Sequence, residues 1–165
     1  MKIKDLYKKY QTLFEKEVEL QGWIKNHRKQ KDFGFIDIYD GTCFKTIQLI
    51  YDYKLSAFER ITELHIGSAI KVLGKVIKSE GSKQEFEIKV KEIELIGDCP
   101  EDYPIQPKRH SMEFLREKQH LRMRTSTFQA VFRIRSVAAS AIHEYFQKRG
   151  FVYVHSPFIT DSDGE

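Results

Sequence analysis

The stretch GWIKNHRKQKDFGFIDIYDGTCFKTIQLI, residues 22–50, reads as the middle of a run of β-strands. Over residues 33–39, period-two alternation sets Ile36 and Ile38 on one face and Phe33, Phe35 and Asp37 on the other. Asp40-Gly41 is a turn signal, and residues 44–51 resume the alternation, with Ile47 and Leu49 opposite Thr46, Gln48 and Ile50. Upstream, residues 18–28 alternate Val18 and Leu20 with Glu19 and Gln21. Downstream, residues 69–78 form a fourth strand after Gly67, and residues 86–96 a fifth after a polar turn at residues 80–83. The alternation of Phe86, Ile88 and Val90 slips by one at Glu92 to give Ile93 and Leu95, as a β-bulge would make it. Between strands three and four, Leu55, Phe58, Ile61 and Leu64 recur at threes, so the spacing predicts a helix over residues 55–64.

Five strands with a helix between the third and the fourth make the layout of an OB-fold barrel, so the fold class is mainly β with α. Five strands with modest turns also suit an SH3-like barrel; the helix position favours the OB-fold. Gly22 and Gly74 fall inside strands, where a small barrel needs sharp bends or where an edge bulges. Residues 98–107, DCPEDYPIQP, hold three of the four prolines and read as a linker, because proline fixes φ and offers no amide donor. A short basic helix over residues 111–117 follows.

The last helix is expected over residues 126–149, with Ser126 and Gln129 spaced as a capping box and Gly150 as its stop. Phe128, Val131, Ile134, Ala138, Ala141 and Tyr145 form one apolar stripe along it. An apolar strand over residues 151–154 and Pro157 come next. Neither the stripe nor that strand finds a partner in later sequence, so both are expected to pack on sequence outside this chain or on another copy. The organisation expected is thus a barrel domain over residues 1–98, a hinge over 99–125, and the start of a second domain over 126–165.

Composition narrows the partner. The 12 Phe and 8 Tyr exceed what a small core needs, and surplus aromatics can stack on bases. The net charge is only +4, yet residues 104–124 hold Lys108, Arg109, Arg116, Lys118, Arg122 and Arg124 against Glu113 and Glu117. Lys25, Arg28, Lys29 and Lys31 form a second basic run without an acid. Clustered cations of this kind suit either a polyanion or a solvated face. Cys43 and Cys99 stand far apart without a CxxC or zinc-spaced histidines, which fits reduced thiols in a cytoplasmic protein. No 18-residue apolar run and no apolar signal region occur, so no membrane partner is expected.

If the isoleucines of strand two are core, Phe35 faces out as a stacking platform, and Gln48 beside it offers a donor and an acceptor to a base edge. The alternative is that Phe35 closes the barrel and Gln48 is an ordinary exposed residue. Arg28 ends strand one within reach of a phosphate or a base. Glu80 and Gln84 sit in the loop between strands four and five, a recognition loop in OB-folds. Trp23 is expected to pack on the barrel beside Gly22, and His27 and His65 carry no ligand geometry.

Three segments resemble the asparaginyl-tRNA synthetases of class IIb: residues 22–50, the hinge YPIQPKRHSMEFLREKQHLRMRT, and FRIRSVAASAIHEYFQKRGFVYVHSPFITDSDGE at the end. The resemblance implies an anticodon-binding OB-fold, a hinge, and a class II catalytic domain that dimerises through its motif 1. It implies that Phe35 stacks on the middle anticodon base, that Gln48 reads that base, and that Arg28 contacts the anticodon loop. Glu80 is placed with them in the recognition loop. Gly150, Phe151 and Pro157 match the motif 1 dimer interface, and Glu165 the glutamate that holds the substrate amino group. For the full-length parent the resemblance implies ATP and magnesium, the asparagine tRNA as partner, and a homodimer. Motifs 2 and 3, a Gly-rich phosphate loop and a metal-ligand cluster do not occur in these residues. No catalytic residue, metal site or cofactor is therefore expected here, and the chain alone is expected to bind rather than catalyse. Rival readings are a stand-alone OB-fold binder of single strands, a piece that docks on a complete synthetase, and a part of the aspartyl relative.

Overall fold

The computed structural model describes residues 1–81 and 84–155. Two compact units appear, Met1–Lys118 and Gln119–Glu165. The first is a closed barrel in the order β1-β2-β3-β5-β4, built from β1 (Glu17–Lys29), β2 (Phe33–Tyr39), β3 (Ile47–Asp52), β4 (Ala69–Lys78) and β5 (Phe86–Gly97). Closure comes from the long β1, which pairs antiparallel with β2 through its second half and with β4 through its first. The short parallel contact of β3 with β5, Leu49 opposite Ile88, completes the ring. This is the OB-fold that the strand pattern leads one to expect.

The inward row is the apolar row of each strand. Leu20, Ile36, Ile38, Ile47, Leu49, Ile70, Val72, Val76 and Ile88 are all fully buried. Gly74 shows why the barrel bends where it does. A Cβ there would sit 2.5 Å from Ile88 Cγ2 and 2.7 Å from the Lys89 carbonyl oxygen, so only glycine allows β5 this close. Directly beside it the register jumps from Leu73–Glu92 to Gly74–Val90, which is the bulge the alternation slip implied.

Several elements differ from the sequence reading. A helix α1 (Ile3–Leu13), not anticipated, closes one end of the barrel with Ile3 and Leu6 fully buried. Its Tyr10 ring stacks on Phe86 at 4.6 Å, and Tyr7 meets the same ring edge-on at 5.1 Å. Burial, with the nearby Cys43, Asp37 and Glu85, pushes the Tyr7 phenol up to about 12. That phenol donates to the Thr46 carbonyl at 2.7 Å. Residues 44–46 accordingly belong to the connection, not to β3, because the loop after β2 is spent holding α1.

The helix expected over residues 55–64 shortens to α2 (Phe58–Thr62). The amides of Leu55, Phe58 and Leu64 bond three residues back, so the repeat of three is met largely by tight turns. A further short helix, α3 (Met112–Glu117), is capped by Ser111, whose hydroxyl accepts from the Phe114 amide at 3.2 Å.

Asp40 ties the first helix to the barrel. Its carboxylate accepts from the Ile3 amide at 2.7 Å, the Thr42 amide at 2.9 Å and the Thr42 hydroxyl at 2.6 Å. Partial burial works to raise its pKa, but the Thr42 hydroxyl and these amides hold it below the usual carboxylate range. A depressed carboxyl stabilises the fold above its unfolded pKa, and that stability is lost as pH falls through the folded value. Asp40→Ala should cost about 0.5–2 kcal/mol in urea melts at neutral pH, and the gap to wild type should close in acid. Equal stability at neutral pH would show that the carboxylate holds nothing.

The second unit holds a 3₁₀ turn (Arg122–Arg124) and α4 (Ser126–Gln147). Its cap is Thr125 rather than Ser126: the Thr125 hydroxyl accepts from the Phe128 amide at 3.4 Å, and Ser126 is already the first helical residue. Gly150, at φ 84°, ends it as expected. The Gly150 amide bonds to Gln147 O at 3.0 Å and the Phe151 amide to Phe146 O at 3.2 Å, a Schellman closure. Phe151 then packs its ring on Phe146 at 5.4 Å. The strand expected over residues 151–154 does not form, since no neighbouring strand is there to pair with it among the described residues. Pro157 and Glu165 lie outside the described residues.

Candidate nucleic-acid interface

The outward rows of β1, β2 and β3 converge on one patch. Register pairs Arg28 with Phe35, Phe35 with Ile50, and Asp37 with Gln48. Because Ile36 and Ile38 are fully buried, Phe35 and Asp37 must face away from the core. The Phe35 ring is half-buried, braced edge-to-face by Phe33 at 5.4 Å and an interplanar angle of 88°. Over it lies the Arg28 guanidinium, whose central carbon is 5.0 Å from the ring centroid. The expectation that Phe35 is presented outward holds; it does not close the barrel.

Gln48 is held from both ends. Arg28 Nη2 donates to Gln48 Oε1 at 2.7 Å, and Gln48 Nε2 donates to Glu87 Oε1 at 3.2 Å. A cation on the carbonyl side and a carboxylate on the amide side fix which way the group points. Among the described residues each end makes one such bond, which leaves an acceptor and a donor position on one planar group. Asn26 and Asp37 border the patch through a 3.1 Å hydrogen bond.

Glu87 is the residue that reasoning from sequence missed. It is a charged side chain only 7% exposed, and it also accepts from the Ser79 hydroxyl at 2.7 Å and from the Gln84 amide. A signal existed: Glu87 stands between the core residues Phe86 and Ile88 of a strand whose alternation is clear. Glu80 is exposed in the β4–β5 connection, and among the described residues the carboxylate that meets Gln48 is Glu87.

Two further ring-bearing residues belong to the barrel wall. His27 Nδ1 lies 3.1 Å from the Leu64 carbonyl and Nε2 2.7 Å from the Tyr51 hydroxyl. A carbonyl can only accept, so the proton sits on Nδ1 and Tyr51 donates to Nε2. Burial lowers the His27 pKa, which keeps the ring neutral. Trp23 packs on the barrel exterior against Tyr39 at 5.7 Å and stays 36% exposed. In the second unit, Gly150 and Phe151 sit at the closure of α4, whose residues Val131, Ile134 and Tyr145 remain exposed.

Chemically, the patch offers a flat aromatic face, an oriented amide and a guanidinium within one register step of each other. That set suits the face and edge of an unpaired base with a phosphate nearby. Among the described residues, no group of three or more His, Cys, Asp or Glu is placed to hold a metal, and no helix is long and apolar enough to cross a membrane.

Comparison with known proteins agrees with this geometry. The OB-fold nucleic acid binding domain family matches residues 18–96, and the family of tRNA synthetases class II (D, K and N) matches residues 111–165. An asparagine–tRNA ligase of Acholeplasma laidlawii is 51% identical over 164 residues, covering 99% of this chain and 35% of the relative. That of Bacillus cytotoxicus is 49% identical over 163 residues, with the same coverage of 99% and 35%. The chain thus spans about a third of the length of the curated relatives it matches. The solved asparaginyl-tRNA synthetase of Pyrococcus horikoshii superposes with a TM-score of 0.77 at 26% identity, over 90% of this chain and 36% of that one. With a closed OB-fold barrel, a class II synthetase segment behind it and about half its residues shared with these ligases from end to end, the chain belongs to the asparagine–tRNA ligase family and matches its N-terminal part.

Proposed function

We propose that this chain supplies anticodon recognition to an asparagine–tRNA ligase, binding the anticodon arm of the asparagine tRNA on the outward face of β1, β2 and β3. The observation that carries the reading is the joint placement of Phe35 and Gln48, with Arg28 touching both. Phe35 takes the face of the middle anticodon base, and Gln48 reads its edge with the donor and acceptor that Arg28 and Glu87 leave unused. Arg28 contacts the loop, and Glu80 adds a carboxylate at the rim of the β4–β5 connection.

In the complete ligase, asparagine would be activated with ATP and magnesium and passed to the tRNA 3′ end in the cytoplasm. We assign that step to the part of the ligases that this chain does not match, since the match spans 35% of the relative's length. Gly150, Phe151 and Pro157 would contribute to a homodimer interface, and Glu165 would hold the substrate amino group. The domain division follows the same logic: barrel to residue 98, hinge to 125, catalytic start from 126.

The test is a titration of the 165-residue chain with anticodon stem–loop RNA and with variants altered only in the three anticodon bases. Binding should fall with rising salt and should favour the asparagine anticodon. Equal affinity for all anticodons would instead make the barrel a sequence-blind single-strand binder.

A further inference from the structure

Helix α1 does more than close the barrel. Its core residues Ile3, Leu6 and Tyr10 fix which side looks out, and Lys4 and Lys8, four residues apart, share the flank next to Tyr7. That flank lies along the loop that leads into β3. The Lys4 amide bonds to the Thr42 hydroxyl at 3.2 Å, the Tyr7 phenol reaches Thr46, and Lys45 Nζ stands 4.5 Å over the Tyr7 ring. Lys4, Lys8 and Lys45 are exposed, and among the described residues none of the three is in an ion pair.

Three lysines elsewhere on the barrel are paired. Lys71 pairs with Glu19 at 3.0 Å, Lys75 with Glu15 at 2.6 Å, and Lys91 with Glu17. Lys71, Lys75 and Lys91 on the β1–β4–β5 side are thus paired, whereas Lys4, Lys8 and Lys45 beside the entry of β3 are held in no ion pair among the described residues. Lys45 is three residues from Gln48, so their Cα atoms lie within about 11 Å of each other. A strand whose base sits at Gln48 would carry its neighbouring phosphates past this part of the surface.

We propose that Lys4, Lys8 and Lys45 form a phosphate rail that carries the RNA backbone away from the base-reading patch. The proposal rests on the anticodon reading above and adds a second, sequence-independent grip to it. Phosphate contacts set affinity and register, while base contacts set sequence preference. The rail therefore adds binding strength equally for every anticodon.

The experiment compares the 165-residue chain with Lys4→Gln/Lys8→Gln/Lys45→Gln, titrated with anticodon stem–loop RNA over a range of salt. Every lysine–phosphate pairing abolished should lower the slope of log affinity on log salt by about 0.7–0.9, so the triple variant should drop by about 2–3. Replacing the three by arginine should restore the slope. If Lys45→Gln disturbs the packing on Tyr7, the double variant Lys4→Gln/Lys8→Gln leaves that packing intact and should still drop by about 1–2. A slope unchanged in folded variants, with Phe35→Ala still weakening binding, would overturn the rail and leave the anticodon reading standing. A reduced slope with Phe35→Ala without effect would keep the rail and sink the base stacking instead.

Discussion

Phe35→Ala should weaken binding of the asparagine anticodon stem–loop by about 1–3 kcal/mol, roughly five- to 150-fold. The ring is the flat surface of the patch, braced by Phe33 and lying under Arg28, one outward position along β2 from Asp37, which pairs with Gln48. The loss should appear for every anticodon, because stacking tolerates any base. Fluorescence anisotropy with labelled stem–loop RNA reads it directly, and urea melts of the same variant should move little, because the side chain lies outside the core. Affinity unchanged within error would remove Phe35 from the site.

One residue further along β2 the expectation reverses. Ile36 is fully buried in the barrel core, and its truncation to alanine should cost about 2–5 kcal/mol of folding stability. Under conditions where the variant remains folded, its affinity for RNA should be near that of the wild type. A variant that kept its stability and lost its RNA would mean that the two faces of β2 have been assigned the wrong way round. The pair of substitutions separates fold from recognition on adjacent residues, as period-two geometry requires.

Strand alternation carried most of the fold in legible form. Residues 33–39 and 69–78 fall at the bounds observed for β2 and β4, and the slip at Glu92 marks a real bulge. What alternation could not show is long-range. Helix α1 has only Ile3, Leu6, Tyr7, Tyr10 and Leu13 as a stripe among lysines, and its burial depends on Asp40, Thr42 and Phe86 far along the chain. The Thr125 cap was read one residue late because both Thr125 and Ser126 can cap, and only the backbone geometry chooses. At the site, Phe35 and Gln48 were legible as outward positions of their strands. Their link through Arg28 and Glu87 was not, since it depends on register between strands up to 39 residues apart.

The guanidinium resting on Phe35 also governs the protein before any RNA arrives. Phe33 and Phe35 together would otherwise leave a sticky spot on an outer wall where neighbouring copies could adhere. A guanidinium spread across the Phe35 ring covers part of that spot with a charged group. If a nucleobase takes this side of the ring as proposed, it would displace the cation toward the newcomer's own sugar–phosphate. On the proposed reading, one side chain would serve as shield in the free protein and as clamp in the complex.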